Sequence, residues 1–202
     1  MNFSSLGLAP EIQQAVEACG YTDMTPVQLQ AIIPARRGKD ILANAQTGTG
    51  KTAAFALPIL QQMVEKPKDT TPGSPRALIL SPTRELAEQL AQTISAYAQF
   101  LPLSVTALYG GVKMGGQEKK LRAGVDVLIS TPGRLLEHIT QCNVNLSNVD
   151  FVVLDEADRM LDMGFITDVL AILQPIPKSR QTLLFSATIS PSVNELAHKI
   201  LN

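Results

Sequence analysis

Along this chain the spacing of apolar residues changes period once. From Pro10 to Cys19, and again from Thr25 onward, apolar positions recur at helical intervals. Gly20 closes the first run and Pro26 opens the second, so two capped helices are predicted. From Asp40 on, short runs rich in Leu and β-branched residues alternate with longer amphipathic stretches. The short runs are "DILANA", "RALILS", "LSVTALY", "VDVLIST", "DFVVLDE" and "QTLLFSA". Helical patterns cover Lys51–Glu65, Arg84–Phe100, Gly133–Gln141 and Pro191–Leu201. Strands that are apolar throughout, separated by helices, are buried on both faces. The expected fold is therefore α/β, a doubly wound, mainly parallel sheet with helices on both faces. It forms a single domain over residues 1–202, opened by a helical segment of about residues 1–38.

"KPKDTTPGSP", Lys66 to Pro75, is the one linker-like stretch, short enough for a surface loop between a helix and a strand. With 202 residues, 45% of them hydrophobic, the chain can bury a substantial core. The formal net charge of −1 gives no global basic field, so a nucleic-acid partner would have to be held by local Lys and Arg. Cys19 and Cys142 stand far apart without a CxxC pattern, which suggests neither zinc nor a disulfide framework; both are expected reduced and buried. The N-terminus lacks a basic region followed by an apolar run, and no stretch approaches the roughly 20 apolar residues that span a bilayer. A soluble, cytoplasmic protein without a membrane partner is expected.

"AQTGTGKT", Ala45 to Thr52, stands between a predicted strand and a predicted helix. It fits the phosphate-loop pattern GxxxxGK[ST] except that Ala45 occupies the first position. A chance match in a chain of this length is roughly a one or two per cent event before that context is demanded. Gly48 and Gly50 can adopt backbone angles closed to other residues, so the amides of Ala45, Gln46, Thr47, Gly48, Thr49 and Gly50 can turn around a phosphate chain. The next helix presents its positive end there. Lys51 supplies a mobile cation for the β and γ phosphates, and the Thr52 hydroxyl is placed to ligate Mg²⁺.

Such a loop needs a carboxylate at the end of a neighbouring strand, and "FVVLDEAD", Phe151 to Asp158, provides one in Asp155. Glu156 follows directly and so points elsewhere from the strand end, where it can orient or deprotonate an attacking water. Hydrolysis rather than mere binding is the chemistry these residues suit.

With these residues the chain resembles the DEAD-box family of ATP-dependent RNA helicases, whose name residues 155 to 158 spell. The resemblance, to the bacterial type, also covers "GYTDMTPVQ" from Gly20 to Gln28, "PTRELA" from Pro82 to Ala87, Gly110 and Gly111, "TPGR" from Thr131 to Arg134, and "SAT" from Ser186 to Thr188. It implies a RecA-like domain that binds ATP or ADP with Mg²⁺, with Lys51, Asp155 and Glu156 as the catalytic residues. Phe3, Tyr21 and Gln28 are implied around the adenine, where the Gln28 amide can pair with N6 and N7 and meets the wrong pattern on guanine. A good bidentate pair is worth about 1 to 3 kcal/mol, or roughly 5- to 150-fold discrimination. Phe3 could equally be a packing aromatic.

The resemblance further implies RNA contacts from Pro82, Thr83, Arg84, Gly110, Gly111, Thr131, Pro132, Gly133 and Arg134. Their charged donors, hydroxyls and open backbone amides suit phosphate and sugar, so RNA would be bound without regard to sequence. Asp158, Ser186 and Thr188 are implied to couple nucleotide state to unwinding. Lys113, Lys119, Lys120 and Arg122 form a charged run that is either a solvated face or an extension of the RNA path. His138 and His198 are expected on the surface, and the methionines of "RMLDMGF", Arg159 to Phe165, in the core.

Family members carry a second sheet domain with an arginine finger, and no counterpart of it is seen in this sequence. The expectation is the first domain of a longer enzyme, monomeric in isolation, which binds nucleotide but turns it over poorly. An ATP-gated RNA clamp would use the same residues and would differ only in failing to open a duplex. A small-molecule kinase would need an arginine-rich lid, which Lys66–Pro75 does not supply.

Overall fold

The computed structural model of the chain describes residues 1–69 and 71–202. Six strands form one sheet: β1 (Ile41–Asn44), β2 (Ala77–Leu80), β3 (Val105–Leu108), β4 (Val127–Ser130), β5 (Phe151–Leu154) and β6 (Gln181–Ser186). Their order across the sheet is β1-β6-β5-β2-β4-β3. Every neighbouring pair is parallel. Because side chains alternate across a strand, each central strand feeds both faces. Ala77, Ile79, Val127, Ile129, Val153 and Phe185 point into one core, while Leu78, Leu80, Leu128, Val152, Leu154 and Leu184 point into the other.

Helices α1 (Pro10–Ala18), α2 (Pro26–Arg36), α3 (Lys51–Glu65) and α4 (Arg84–Tyr97) close the first core. Helices α5 (Met114–Arg122), α6 (Pro132–Thr140), α7 (Ala157–Asp162), α8 (Ile166–Leu173) and α9 (Pro191–Ile200) close the second. The doubly wound sheet expected from the apolar runs is thus present. The N-terminal helical segment belongs to the same body, since Phe3, Ile12, Val16 and Ile32 lie in the first core. Polar ties fix it as well: the Gln62 and Gln181 amides both donate to the Ala35 carbonyl, at 3.1 and 2.8 Å. No helix among the described residues is long and apolar enough to cross a membrane.

Several local expectations change. Helices α5, α7 and α8 were not foreseen. α5 opens on Met114, Gly115 and Gly116 and buries only Gln117 and Leu121, so it has almost no apolar stripe; α7 is six residues long. The stretch Lys66–Pro75 is not simply a surface loop, because Gly73, Ser74 and Pro75 are buried. The Gly73 amide donates to the Leu121 carbonyl at 2.9 Å, and its carbonyl accepts from Asn145 at 2.8 Å; Thr70 of that stretch lies outside the described residues. Cys19 is only half-buried and Cys142 is exposed, because Cys142 sits just past the end of α6, in a left-handed turn at φ 58° that faces solvent. Of the methionines in Arg159–Phe165, Met160 is buried whereas Met163 follows α7 and is 47% exposed.

The packing behind the phosphate loop makes one expectation quantitative. Phe185, one residue before the end of β6, is fully buried against Phe55 of α3, with ring centroids 5.4 Å apart. Replacing Phe185 by Ala should cost about 3 to 5 kcal/mol, read as a fall in the urea midpoint of unfolding. A loss near zero would mean that α3 is not held from behind by this pair.

Candidate functional site

In an all-parallel sheet every strand ends at the same edge, and ligands bind in the crevice beyond the carboxyl ends. Here that edge carries all the segments singled out in the sequence. The phosphate loop leaves β1, the acidic quartet leaves β5, and "SAT" closes β6 between them. The three segments that the resemblance assigns to RNA leave β2, β3 and β4. Across the sheet order, the first three strands therefore serve one group and the last three the other.

Gly48 and Gly50 lie at φ 83° and 81°, the left-handed region that glycine enters without strain. A Cβ at Gly50 would also collide with the Gln28 amide. Lys51 opens α3 and is buried, with its Nζ 2.8 Å from Asp155 Oδ1 and 3.4 Å from Glu156 Oε1. The Thr47 hydroxyl donates to Glu156 Oε1 at 3.0 Å. Asp155 and Glu156 do diverge as expected, because Glu156 takes a left-handed backbone at φ 55°, ψ 53°. That conformation costs a non-glycine residue of order 1 kcal/mol and is the kind of strain retained at functional sites. It swings the Glu156 carboxylate toward the loop, where Arg159 also pairs with it at 3.4 Å. Arg159 was expected only to pack.

Asp155 is fully buried. Burial pushes its carboxyl above the usual carboxylate range, with the Lys51 cation pulling the other way. The ammonium lies 2.8 Å from Oδ1, and Oδ2 accepts no hydrogen bond among the described residues. A desolvated carboxylate with free lone pairs is a fitting donor for a hard divalent cation. No group of three or more His, Cys, Asp or Glu side chains suited to a metal occurs among the described residues. Magnesium suits that sparse set, because it binds through one or two protein oxygens and takes its other ligands from water and phosphate. Asp155 and the Thr52 hydroxyl are the residues that would hold it.

The adenine-motif residues are drawn into the same corner. Gln28 Oε1 accepts from the Thr25 amide at 2.8 Å, and Nε2 donates to the Gly50 carbonyl at 3.0 Å. One lone pair and one amide hydrogen remain, which is the pattern that pairing with adenine requires. Phe3 is buried beneath Tyr21, their rings stacked at 6.0 Å and 27°. Tyr21 is 38% exposed, with the Tyr97 ring tilted against it at 6.1 Å and its hydroxyl 3.2 Å from that of Tyr97. Burial pushes the Tyr97 phenol far above its ordinary value. Tyr21, Gly48, Lys51, Thr52, Tyr97 and Asp155 line a common cavity of about 240 Å³. That is below the roughly 300 Å³ at which ligand pockets usually begin. A larger cavity, about 580 Å³, opens at the opposite edge of the sheet beside Lys39, Arg76 and Arg180; no phosphate-loop residue lines it.

Asp158, Ser186 and Thr188 meet as expected, with one difference in direction. Thr188 donates to Asp158 Oδ2 through both its amide and its hydroxyl, each at 3.0 Å. The Ser186 hydroxyl instead accepts from the Asp158 backbone amide at 3.2 Å and donates to the Thr188 carbonyl at 2.8 Å. Partial burial works against the ionised Asp158, but the bonds from Thr188 and the Arg159 amide outweigh it and hold the carboxyl below its ordinary value.

On the other half of the edge, Thr83 caps α4, accepting from the Leu86 amide at 3.3 Å, and Pro82 is buried beside it. Arg84 lies 5.0 Å over the ring of Tyr109, next to the exposed Gly110 and Gly111. Gly111 is left-handed at φ 81°. Thr131 and Pro132 open α6, Gly133 is exposed, and Arg134 pairs with Glu137 at 3.0 Å. Lys113, Lys119, Lys120 and Arg122 are all exposed, on and just before α5. His198 is exposed as expected, but His138 is not a surface residue: it is fully buried, because α6 turns it inward against α5. Its Nε2 lies 3.0 Å from Gln117 Oε1, which assigns the proton to Nε2, and Nδ1 faces Asn143 Nδ2 at 3.4 Å. Burial, then the charge of Arg134, lowers the imidazole's pKa. The sequence signal for Gln117 and His138 was a polar pair of which only His138 stood on a readable helix, and spacing alone could not bring the two together.

Against known proteins, the chain matches the family model of the DEAD/DEAH box helicase over residues 25–196. It is 42% identical over 199 residues to the DEAD-box ATP-dependent RNA helicase CshA of Bacillus cereus, covering 98% of this chain and 37% of that protein. It is 44% identical over 207 residues to the ATP-dependent RNA helicase RhlB of Xanthomonas oryzae pv. oryzae, covering 100% and 36%. To the ATP-dependent RNA helicase DeaD of Mycobacterium tuberculosis it is 43% identical over 201 residues, covering 99% and 35%. The chain thus spans little more than a third of the length of these relatives.

The Asp158 cluster yields a pH dependence. Its folded pKa lies below the ordinary 3.8, so as pH falls the unfolded chain takes up the proton first. The stabilisation is complete above 3.8 and is lost as pH drops through the folded value. Asp158→Asn should cost roughly 1.5 kcal/mol at neutral pH, the lower end for hydrogen bonds to a charged group. It should also flatten the acid limb of the stability curve below pH 4, measured by urea unfolding across pH; an unchanged acid limb would contradict the assignment.

Proposed function

Because the chain belongs to the DEAD/DEAH box helicase family, we propose that it is the nucleotide-binding domain of an ATP-dependent RNA helicase. In this reading ATP hydrolysis is coupled to sequence-independent RNA binding and duplex unwinding in the full-length protein. The observation that carries it is the contact of Lys51 with Asp155 at 2.8 Å, with Glu156 turned inward beside them. A phosphate-loop lysine, a desolvated metal carboxylate and a second carboxylate beside it that can take up a water are the parts that phosphoanhydride hydrolysis needs.

On nucleotide binding, Lys51 leaves the two carboxylates for the β and γ phosphates, and the loop amides turn onto the phosphate oxygens. When bound, Mg²⁺ supplies charge neutralisation on the phosphates, held by Asp155 and the Thr52 hydroxyl. Glu156, relieved of its bond to Lys51, orients the attacking water and accepts its proton. Gln28 reads the adenine with its remaining lone pair and hydrogen, while Tyr21 stacks on the base. Asp158 touches Thr188 and Ser186, so a shift of the quartet around the γ phosphate is passed to the end of β6.

The small cavity and the short span relative to the relatives support a further part of the proposal, that a second sheet domain completes the site with an arginine finger. Such a finger is worth on the order of 10³ to 10⁵ in rate. This chain alone should therefore bind ADP and ATP yet show barely measurable turnover. RNA-stimulated turnover within tenfold of the full-length protein would refute the half-site reading.

Calorimetric titration with ADP, ATP and GTP in the presence of Mg²⁺ tests the pocket directly. Adenine nucleotides should bind roughly 5- to 150-fold more tightly than GTP. Gln28→Ala should erase that preference, and Lys51→Ala should abolish binding of all three. Equal affinity for GTP would show that the Gln28 segment serves only packing.

A further inference from the structure

Helix α5 was invisible in the sequence, yet it carries the best-connected amide at the edge where the RNA segments lie. Gln117 is 5% exposed. Its Nε2 donates to the carbonyl of Tyr109 at 2.9 Å, at the root of the Gly110–Gly111 loop. Its Oε1 accepts from His138 Nε2 at 3.0 Å and from Arg134 NH1 at 3.5 Å, both on the helix that opens with Thr131. Arg134 NH1 reaches back to the Val112 carbonyl at 3.2 Å, closing the circuit through the loop. Tyr109 in turn lies under the Arg84 guanidinium. One buried side chain thus joins the ends of β3 and β4 directly, and that of β2 through one aromatic contact.

A buried amide is costly unless all its bonds are made, and when they are made it fixes one arrangement over its neighbours. Gln117 makes its bonds to the root of an exposed loop, to Arg134 in the first turn of α6 and to the buried His138 in its last turn, so it ties the loop to the helix along its length. Its partners are the elements whose relative placement a rigid, regularly spaced phosphate backbone would require.

We propose that Gln117 is a positioning residue for RNA: its amide holds the Gly110–Gly111 loop, the Thr131–Arg134 turn and Arg84 as one preset track for the RNA backbone. This rests on the reading that those segments contact RNA. Holding them in place before RNA arrives removes the ordering cost from binding, so Gln117 acts on the affinity for RNA and not on the hydrolytic step. It lies outside the cavity lined by the phosphate loop.

The test measures ATP hydrolysis by the full-length protein against RNA concentration, together with ADP affinity in the absence of RNA. Gln117→Leu should raise the RNA concentration for half-saturation roughly 5- to 30-fold, as expected for losing one or two hydrogen bonds at a buried site. kcat at saturating RNA and ADP affinity should stay at the native level. Gln117→Glu keeps the acceptor for Arg134 and His138 but loses the donor to Tyr109, and should fall between the two. Arg134→Ala serves as the direct-contact reference, and combined with Gln117→Leu the two losses should fall short of multiplying because they share a partner. If Arg134→Ala leaves RNA half-saturation unchanged, the underlying RNA reading fails. If Arg134→Ala weakens RNA while Gln117→Leu does not, the positioning role alone is overturned. Should the Leu variant fail to fold, native RNA half-saturation in Gln117→Glu overturns it equally.

Discussion

All neighbouring strands in this sheet run parallel, and the rest of the molecule follows from that. A parallel sheet must be covered on both faces, because each strand returns through a crossover helix. The two apolar cores and the nine helices among the described residues answer this requirement. The same geometry gathers every strand's carboxyl end at one edge, so chemistry-bearing loops far apart in sequence become neighbours. Lys51 and Asp155 are separated by about half of the chain, yet the registers of β1 with β6 and β6 with β5 bring them together.

Within that frame the nucleotide corner is under electrostatic tension. Asp155 and Glu156 are adjacent, desolvated, and share the single ammonium of Lys51. The backbone of Glu156 is strained to aim its carboxylate at the loop. A buried charge group of this kind adds little to stability and can subtract from it. Its logic is chemical: the negative charges are held where a metal cation would relieve them. The tie from Gln28 to the Gly50 carbonyl places that amide one residue away from Lys51 and this tension.

Much of this was legible in the sequence, for reasons that particular residues make plain. The four inner strands were readable because burial on both faces leaves runs such as "ALIL" and "FVVL" without a polar position. Lys51–Glu65 was bounded to the residue, since the phosphate loop marks its start and Pro67 follows its end. Asp158, Ser186 and Thr188 could be grouped only through the family resemblance, and the structure supplied the direction of each bond. What stayed hidden includes α5, which is held by tertiary contacts rather than by an apolar stripe, and the short α7 and α8. α5 has two glycines in its first turn and one apolar anchor in Leu121. His138 looked like a solvent-facing polar residue because its partner, Gln117, lies on that same unreadable helix.

Gly50 illustrates how the two constraints at one position shape what sequence change can reach. Its backbone sits at φ 81°, and a Cβ there would strike the Gln28 amide. Shortening Gln28 would clear the collision but leave the left-handed backbone unfavourable for any other residue. Relaxing the backbone would move the loop while the amide still occupied the space. Neither single step relieves the other constraint, so Gly50 and Gln28 are bound to vary together, the one through its backbone and the other through the space it fills.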